Sequence, residues 1–159
     1  MCQLAIEWLR GNDSAWIDDR HESRKRSWRE LLPDALKTKL QLQVLEHHLS
    51  VCQCTNVPVQ LFNQGFCCIT RTDEEVSVVC ETENAPADAV AREDGWRVFR
   101  VCGPLDFGLV GILAKISTAL AEAEIPLFAI STYDTDYILV KGEMLERAIA
   151  ELRHCGCSI

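Results

Sequence analysis

From Leu40 onward the chain alternates apolar and polar positions in short runs, and two stretches of helical period interrupt the alternation. Leu40, Leu42 and Val44 alternate with polar residues, and Val51 to Thr55 continues an extended pattern. Asn56 to Asn63 contains Pro58 and reads as a loop or one short turn. Phe66–Thr70 (FCCIT) and Val76–Glu81 (VSVVCE) flank the polar bend Arg71–Glu75 (RTDEE), which predicts a hairpin. Asn84 to Gly95 (NAPADAVAREDG) supplies a proline, then helix formers, then a glycine stop, and reads as a short helix or turn. Trp96–Cys102 (WRVFRVC) alternates cleanly until Gly103–Pro104 ends it.

The clearest helix runs from Gly108 to Glu124. Leu109, Ile112, Leu113, Ile116 and Leu120 form an apolar stripe suited to covering a sheet. Asp106 stands where an N-cap would satisfy the first free N–H groups. Leu127–Thr132 and Tyr137–Val140 read as strands around the bend Tyr133–Asp136 (YDTD). A second helix, Glu143 to His154, places Met144, Leu145, Ala148, Ile149 and Leu152 on one face, with Gly156 as its stop and Cys157–Ile159 as a last short strand. Residues 96–159 therefore read β-α-β-β-α-β, an α+β, ferredoxin-like module with an antiparallel sheet and both helices on one face. Residues 40–95 repeat the strand spacing with the first helix shrunk to a loop, a degenerate copy in tandem with the complete one. Residues 1–39 hold two short helical patterns around the polar stretch Gly11–Ser27. Leu31, Leu32, Leu36 and Leu40 share a face in the second, which reads as an N-terminal helical extension.

Composition narrows the function classes. The 159 residues are 48% hydrophobic and 25% charged, which excludes wholesale disorder and fibrous repeats and allows one domain or two small ones. No apolar run approaches the roughly 18 residues of a membrane span, and MCQLAIEWLRGND lacks the marks of a secretory signal, so a soluble cytoplasmic protein is expected. Residues 1–40 carry eight Lys/Arg against seven Asp/Glu, whereas residues 41–159 carry eight against seventeen. Nucleic acid and acidic membrane would be repelled by that second part. Only Arg20–Arg29 (RHESRKRSWR) would attract them, and it reads first as a solvated helix face.

Nine cysteines invite a metal or redox reading. They sit as Cys52/Cys54, Cys67/Cys68 and Cys155/Cys157, with Cys2, Cys80 and Cys102 alone. No CxxC pair with a downstream partner is present, so small apolar filler is the better account and no metal or cofactor is expected. His47 and His48 are adjacent and on a strand would point to opposite faces. The chain holds no GxxxxGK[ST], GxGxxG or HExxH, and Ser50 and Cys52 lie in no nucleophile elbow, so no enzyme is expected.

Three separated motifs resemble a known family: Gly65–Glu81 (GFCCITRTDEEVSVVCE), Trp96–Ser117 (WRVFRVCGPLDFGLVGILAKIS) and Ser131–Lys141 (STYDTDYILVK). They look like the small proteins built of tandem ACT domains, modules related to those of the CASTOR arginine sensors. The resemblance covers about residues 40–159 and implies a non-catalytic regulatory protein that binds an amino acid or similar metabolite at a module interface. It also implies that the loop before the first helix and the facing strand motif build the site. Carried over, these are Asp106, Phe107, Gly108, Leu109 and Val110, with Ser131, Thr132, Tyr133, Asp134, Thr135 and Asp136. The chemistry suits an amino acid. A helix opening with Gly108 and Gly111 offers free N–H groups and backbone access to a carboxylate. Asp106, Asp134 and Asp136 offer acceptors to an ammonium or guanidinium. The same residues also have local uses, since Asp106 can cap its helix and Asp is favoured in any tight bend. The acidic excess favours a cationic ligand such as arginine or lysine, and an open sheet edge suits a homodimer or a regulated partner protein. The rival reading is an interaction scaffold of the same fold without a working site.

Overall fold

The computed structural model describes residues 40–105 and 110–159. The helical extension expected in residues 1–39 lies outside the described residues. The described elements are β1 (Leu42–Cys54), β2 (Cys67–Arg71), β3 (Val76–Glu81), β4 (Ala91–Val101), α1 (Ile112–Glu122), β5 (Leu127–Ser131), β6 (Asp136–Lys141) and α2 (Leu145–His154). Three-ten turns occupy Val59–Asn63, Thr82–Asn84 and Gly142–Met144.

All six strands form one sheet in the order β2-β3-β1-β4-β6-β5, with every neighbouring pair antiparallel. The two halves, expected as modules in tandem, thus share one sheet. It arises because β1 and β4 are long enough to serve two neighbours each. β1 pairs with β3 through Leu49–Cys54 and with β4 from Leu42 to Gln53, while β4 pairs with β6 through Trp96–Arg100. β4 begins at Ala91, so the polar run Ala91–Gly95, expected as a turn or short helix, is strand and carries the chain across positions 95 and 96. Its exposed side chains hid it from a hydrophobic pattern, and backbone pairing to β1 holds it extended.

The two hairpins correspond. β5 follows β2, and β6 follows β3, by sixty positions, and the turns after β3 and β6 keep that spacing. Each hairpin bend closes alike: the Thr72 N–H bonds the Glu75 carbonyl at 2.9 Å, and the Thr132 N–H bonds the Thr135 carbonyl at 2.8 Å. Helices distinguish the halves. The first has only the Val59–Asn63 turn where the second has α1, and only a loop where the second has α2.

α1 and α2 cover one face of the sheet. Ile112, Ile116, Ala119 and Leu120 of α1 and Leu145, Ala148 and Leu152 of α2 pack on Leu42, Phe99, Val101, Ile138 and Val140. Leu113, expected in the apolar stripe, is instead exposed, and Lys115 takes a buried place on that face. In the first half a smaller cluster of Cys52, Cys54, Val76, Val78 and Cys80 is capped by Leu61 from the three-ten turn. The opposite face holds Leu49, Val79, Val98, Ile130 and Leu139, with Phe66, Trp96, Phe128 and Tyr137 packed against them. Phe66 meets Tyr137 edge-on at 5.2 Å. The expected last strand is reduced to a parallel bridge between Ser158 and Gln41.

Ile116→Ala should therefore cost ~2–5 kcal/mol of unfolding free energy and Leu113→Ala less than about 1, read from urea denaturation midpoints. Equal losses at both positions would contradict the orientation of α1.

Candidate functional site

The loop after β4 and the bend between β5 and β6 meet at one end of the sheet. β4 ends at Val101, and Gly103, at φ +94°, turns the chain away in a conformation that L side chains rarely adopt. The Leu105 N–H donates to the Asp134 carbonyl at 2.8 Å, fastening the loop to the bend. The Thr135 hydroxyl donates to the Val101 carbonyl, fastening the bend to the last residue of β4. Within the bend the Thr132 hydroxyl donates to the Thr135 carbonyl at 2.8 Å. Sequence-local chemistry explains its shape: threonine hydroxyls bond backbone two or three residues away and hold a tight turn.

Of the expected site residues, Ser131 closes β5, Thr132, Tyr133, Asp134 and Thr135 form the bend, and Asp136 opens β6. Tyr133 is 80% exposed and Val110 is 69% exposed. The Asp134 side chain is exposed, whereas Asp136 is half-buried at the strand's start. Asp106, Phe107, Gly108 and Leu109 lie outside the described residues. α1 begins at Ile112 with Gly111 in the cap position at φ +92° and, among the described residues, no side-chain cap. The left-handed Gly111 stands at the N-cap, so the helix opens at Ile112, four residues after the Gly108 start that is expected. What is brought together is an acidic, exposed bend and the start of a loop, held by two hydrogen bonds between elements distant in sequence. Such a mouth offers carboxylate and carbonyl acceptors to a cation.

A second polar constellation sits in the seam between β1 and β4. The fully buried Ser50 hydroxyl donates to an Asp94 carboxylate oxygen at 2.5 Å and lies 3.0 Å from the Thr82 hydroxyl. The Arg92 Nε donates to the same Asp94 oxygen at 2.6 Å, and its Nη2 donates to the Thr82 carbonyl at 3.1 Å. The Arg92 guanidinium first, then the Ser50 hydroxyl, hold the Asp94 carboxyl below the usual carboxylate range. His47 Nδ1 lies 2.6 Å from a Glu81 oxygen. Lys141 Nζ bonds Glu93 at 3.0 Å and the Asp94 carbonyl at 2.7 Å, and stands 4.4 Å from the Trp96 ring centroid. Only the polar run before Trp96 hinted at this seam, and it reads as loop until the pairing is known.

Burial first, then neighbouring thiols, push Cys80 up to about 12, and burial raises Cys52 and Cys54. Cys155 Sγ lies 3.6 Å from Cys157 Sγ at the end of α2, where Cys157 belongs to the helix-covered core. Among the described residues no group of three or more His, Cys, Asp or Glu is placed to hold a metal ion. Among them, too, no helix is long and apolar enough to cross a membrane.

Comparison with known proteins places residues 91–154 on a family model described as an ACT domain, and residues 49–88 on a second model described as an N-terminal domain. The crystal structure of protein Atu0741 from Agrobacterium tumefaciens is 31% identical, with 76% of this chain and 91% of that one covered at a TM-score of 0.69. VC0802 from Vibrio cholerae, a protein of unknown function, is 20% identical, covering 74% and 91%, at a TM-score of 0.60. The regulatory subunit of aspartate kinase from Thermus thermophilus, in its ligand-free form, is 9% identical, covering 72% and 95%, at 0.51; that likeness is one of fold.

Two measurements check this geometry. Thr135→Val should lower stability by about 1 kcal/mol and speed hydrogen exchange at the Leu105 amide, whose partner sits on the same bend. Asp94 is depressed in the folded state, so its contribution is present above the unfolded value of about 4 and is lost as pH falls through the lower folded value. Urea midpoints followed from pH 6 down to about pH 2.5 should therefore fall more steeply for the wild type than for Asp94→Asn.

Proposed function

Because the chain belongs to the same family as Atu0741 and carries an ACT domain, we propose that it is a non-catalytic regulatory protein that binds an amino acid at the bend between β5 and β6. The observation that carries this reading is the fastening of the loop after β4 to that bend, through Leu105 to Asp134 and Thr135 to Val101. It holds Leu105, where the described part of the loop ends, beside Asp134 of the bend, which supports the pairing that the family resemblance implies. The loop residues 106–110 would supply backbone donors to the ligand carboxylate, and Asp134 and Asp136 acceptors to its cationic groups. The acidic bend favours arginine or lysine over acidic amino acids.

The sixty-residue correspondence of the two hairpins supports a tandem of ACT-like modules, the first stripped of its helices, joined through the β1–β4 ladder. A ligand at such a module would act by favouring one arrangement of an interface, with a homodimer mate or a regulated partner, in proportion to its differential affinity. This is a protein of the cytoplasm in our reading.

A thermal-shift screen of the full chain against the twenty amino acids at millimolar concentration tests the proposal. At least one should raise the melting temperature, arginine and lysine most, and Asp136→Ala should remove the rise while melting within a few degrees of the unliganded wild type. A flat response to all twenty would leave the scaffold reading in its place.

A further inference from the structure

Beside the seam between β1 and β4 lies an open cleft of about 470 Å³, lined by His48, Asp94, Gly95 and Arg97 and, from the end of β6 and its turn, Lys141, Gly142 and Glu143. Two opposed irregularities in the pairing adjoin it. Between the pairs Leu45↔Val98 and Leu49↔Trp96, β1 advances four residues while β4 advances two. Between Leu49↔Trp96 and Val51↔Glu93, β4 advances three while β1 advances two. Extra residues on both strands interrupt the regular pairing there, and Gly95 takes φ +80°. His48 comes from the first irregularity, Asp94 and Gly95 from the second. Gly142 adds no side chain from the strand's far side; a Cβ there would stand 3.4 Å from the Gly95 carbonyl and 3.5 Å from the Arg97 side chain.

The charges in this cleft are unequally committed. Lys141 is spent on Glu93 and the Asp94 carbonyl, and the Asp94 carboxylate on Ser50 and Arg92. Arg97 is different. Its Nε is buried without a hydrogen-bond partner, and its Nη2 has only a long 3.5 Å contact with the Leu45 carbonyl. A buried donor on a permanent cation is costly to leave unmade, and this loosely held guanidinium, turned toward the cleft, would match a carboxylate in two parallel bonds. The cleft falls within the ~300–1,000 Å³ of small-molecule sites. Its lining balances the cations Arg97 and Lys141 against Asp94 and Glu143, which disfavours a multiply charged anion such as phosphate. Glu143 is exposed at the rim, where a cationic group on the far end of a ligand would meet it.

We propose that the β1–β4 seam holds a second ligand site, in which Arg97 binds the carboxylate of a small molecule whose remaining part is neutral or cationic, with Glu143 receiving the cationic end. The site shares no residue with the bend between β5 and β6 and stands whether or not that bend binds a ligand.

Side-chain ¹⁵N NMR on the full chain reads it directly through the Arg97 Nε–H resonance, with glycine, acetate and inorganic phosphate as probes at matched ionic strength. Glycine and acetate should move that resonance to saturation at millimolar concentration, glycine at the lower midpoint, and phosphate should not. Arg97→Lys, followed through the Gly95 and Gly142 amides, should raise the glycine midpoint about tenfold or more, since lysine keeps the charge without the fork. The exposed Glu143→Gln should bring the glycine midpoint up to that of acetate, and Asp136→Ala should leave all midpoints unchanged. No saturable movement of Arg97 Nε–H, or the same movement with phosphate, would overturn the site. Unchanged glycine preference in Glu143→Gln would overturn the ligand's orientation, and should Arg97→Lys fail to fold, the wild-type and Glu143→Gln titrations decide alone.

Discussion

The antiparallel ladder between β1 and β4 is the contact on which the described structure depends. Each hairpin reaches the rest of the sheet only through one of these strands, β3 through β1 and β6 through β4. The ladder is also a packing device. Leu42, at the start of β1, belongs to the core that α1 and α2 cover, alongside Phe99 and Val101 of β4. The first half therefore supplies an edge that the second half's helices need. Separating the halves would expose both a row of backbone hydrogen-bonding groups and the flank of a buried core.

That sharing explains how the first half manages with so little cover. Without helices of its own it buries a small cluster in which cysteine is the commonest residue, roofed by Leu61 from a single three-ten turn. Cysteine suits such a place because it is small, apolar and closely packed, and burial keeps the thiol protonated, most strongly at Cys80. The first half is a sheet extension more than an independent core.

Local pattern carried much of this. Both hairpins follow from β-rich runs around polar bends, with Val76–Glu81 placed to the residue, and α2 follows from an apolar face whose buried members are Leu145, Ala148 and Leu152. What failed was decided at long range. Ala91–Gly95 is a strand because β1 is beside it, and its polar, exposed side chains carry no sign of that. The start of α1 depends on a left-handed Gly111, and apolar spacing is blind to a backbone angle. The bend of the candidate site was legible because threonine and aspartate declare a tight turn locally. The cleft beside the seam was not, since it adjoins mismatched strand advances that no single segment encodes.

β4 joins the two polar regions physically. Its last carbonyl, on Val101, receives the Thr135 hydroxyl of the bend, and four residues earlier Arg97 lines the cleft beside the seam. Between them Val98 and Phe99 are fully buried on opposite faces of the sheet, so this stretch cannot shift without disturbing both cores. Communication between the bend and the seam would then need no hinge, only two arrangements of the β1–β4 ladder of similar energy. The seam is the natural place for them, because its bulges already leave pairing incomplete. Any ligand that prefers one arrangement would bias the other region by that preference and no more.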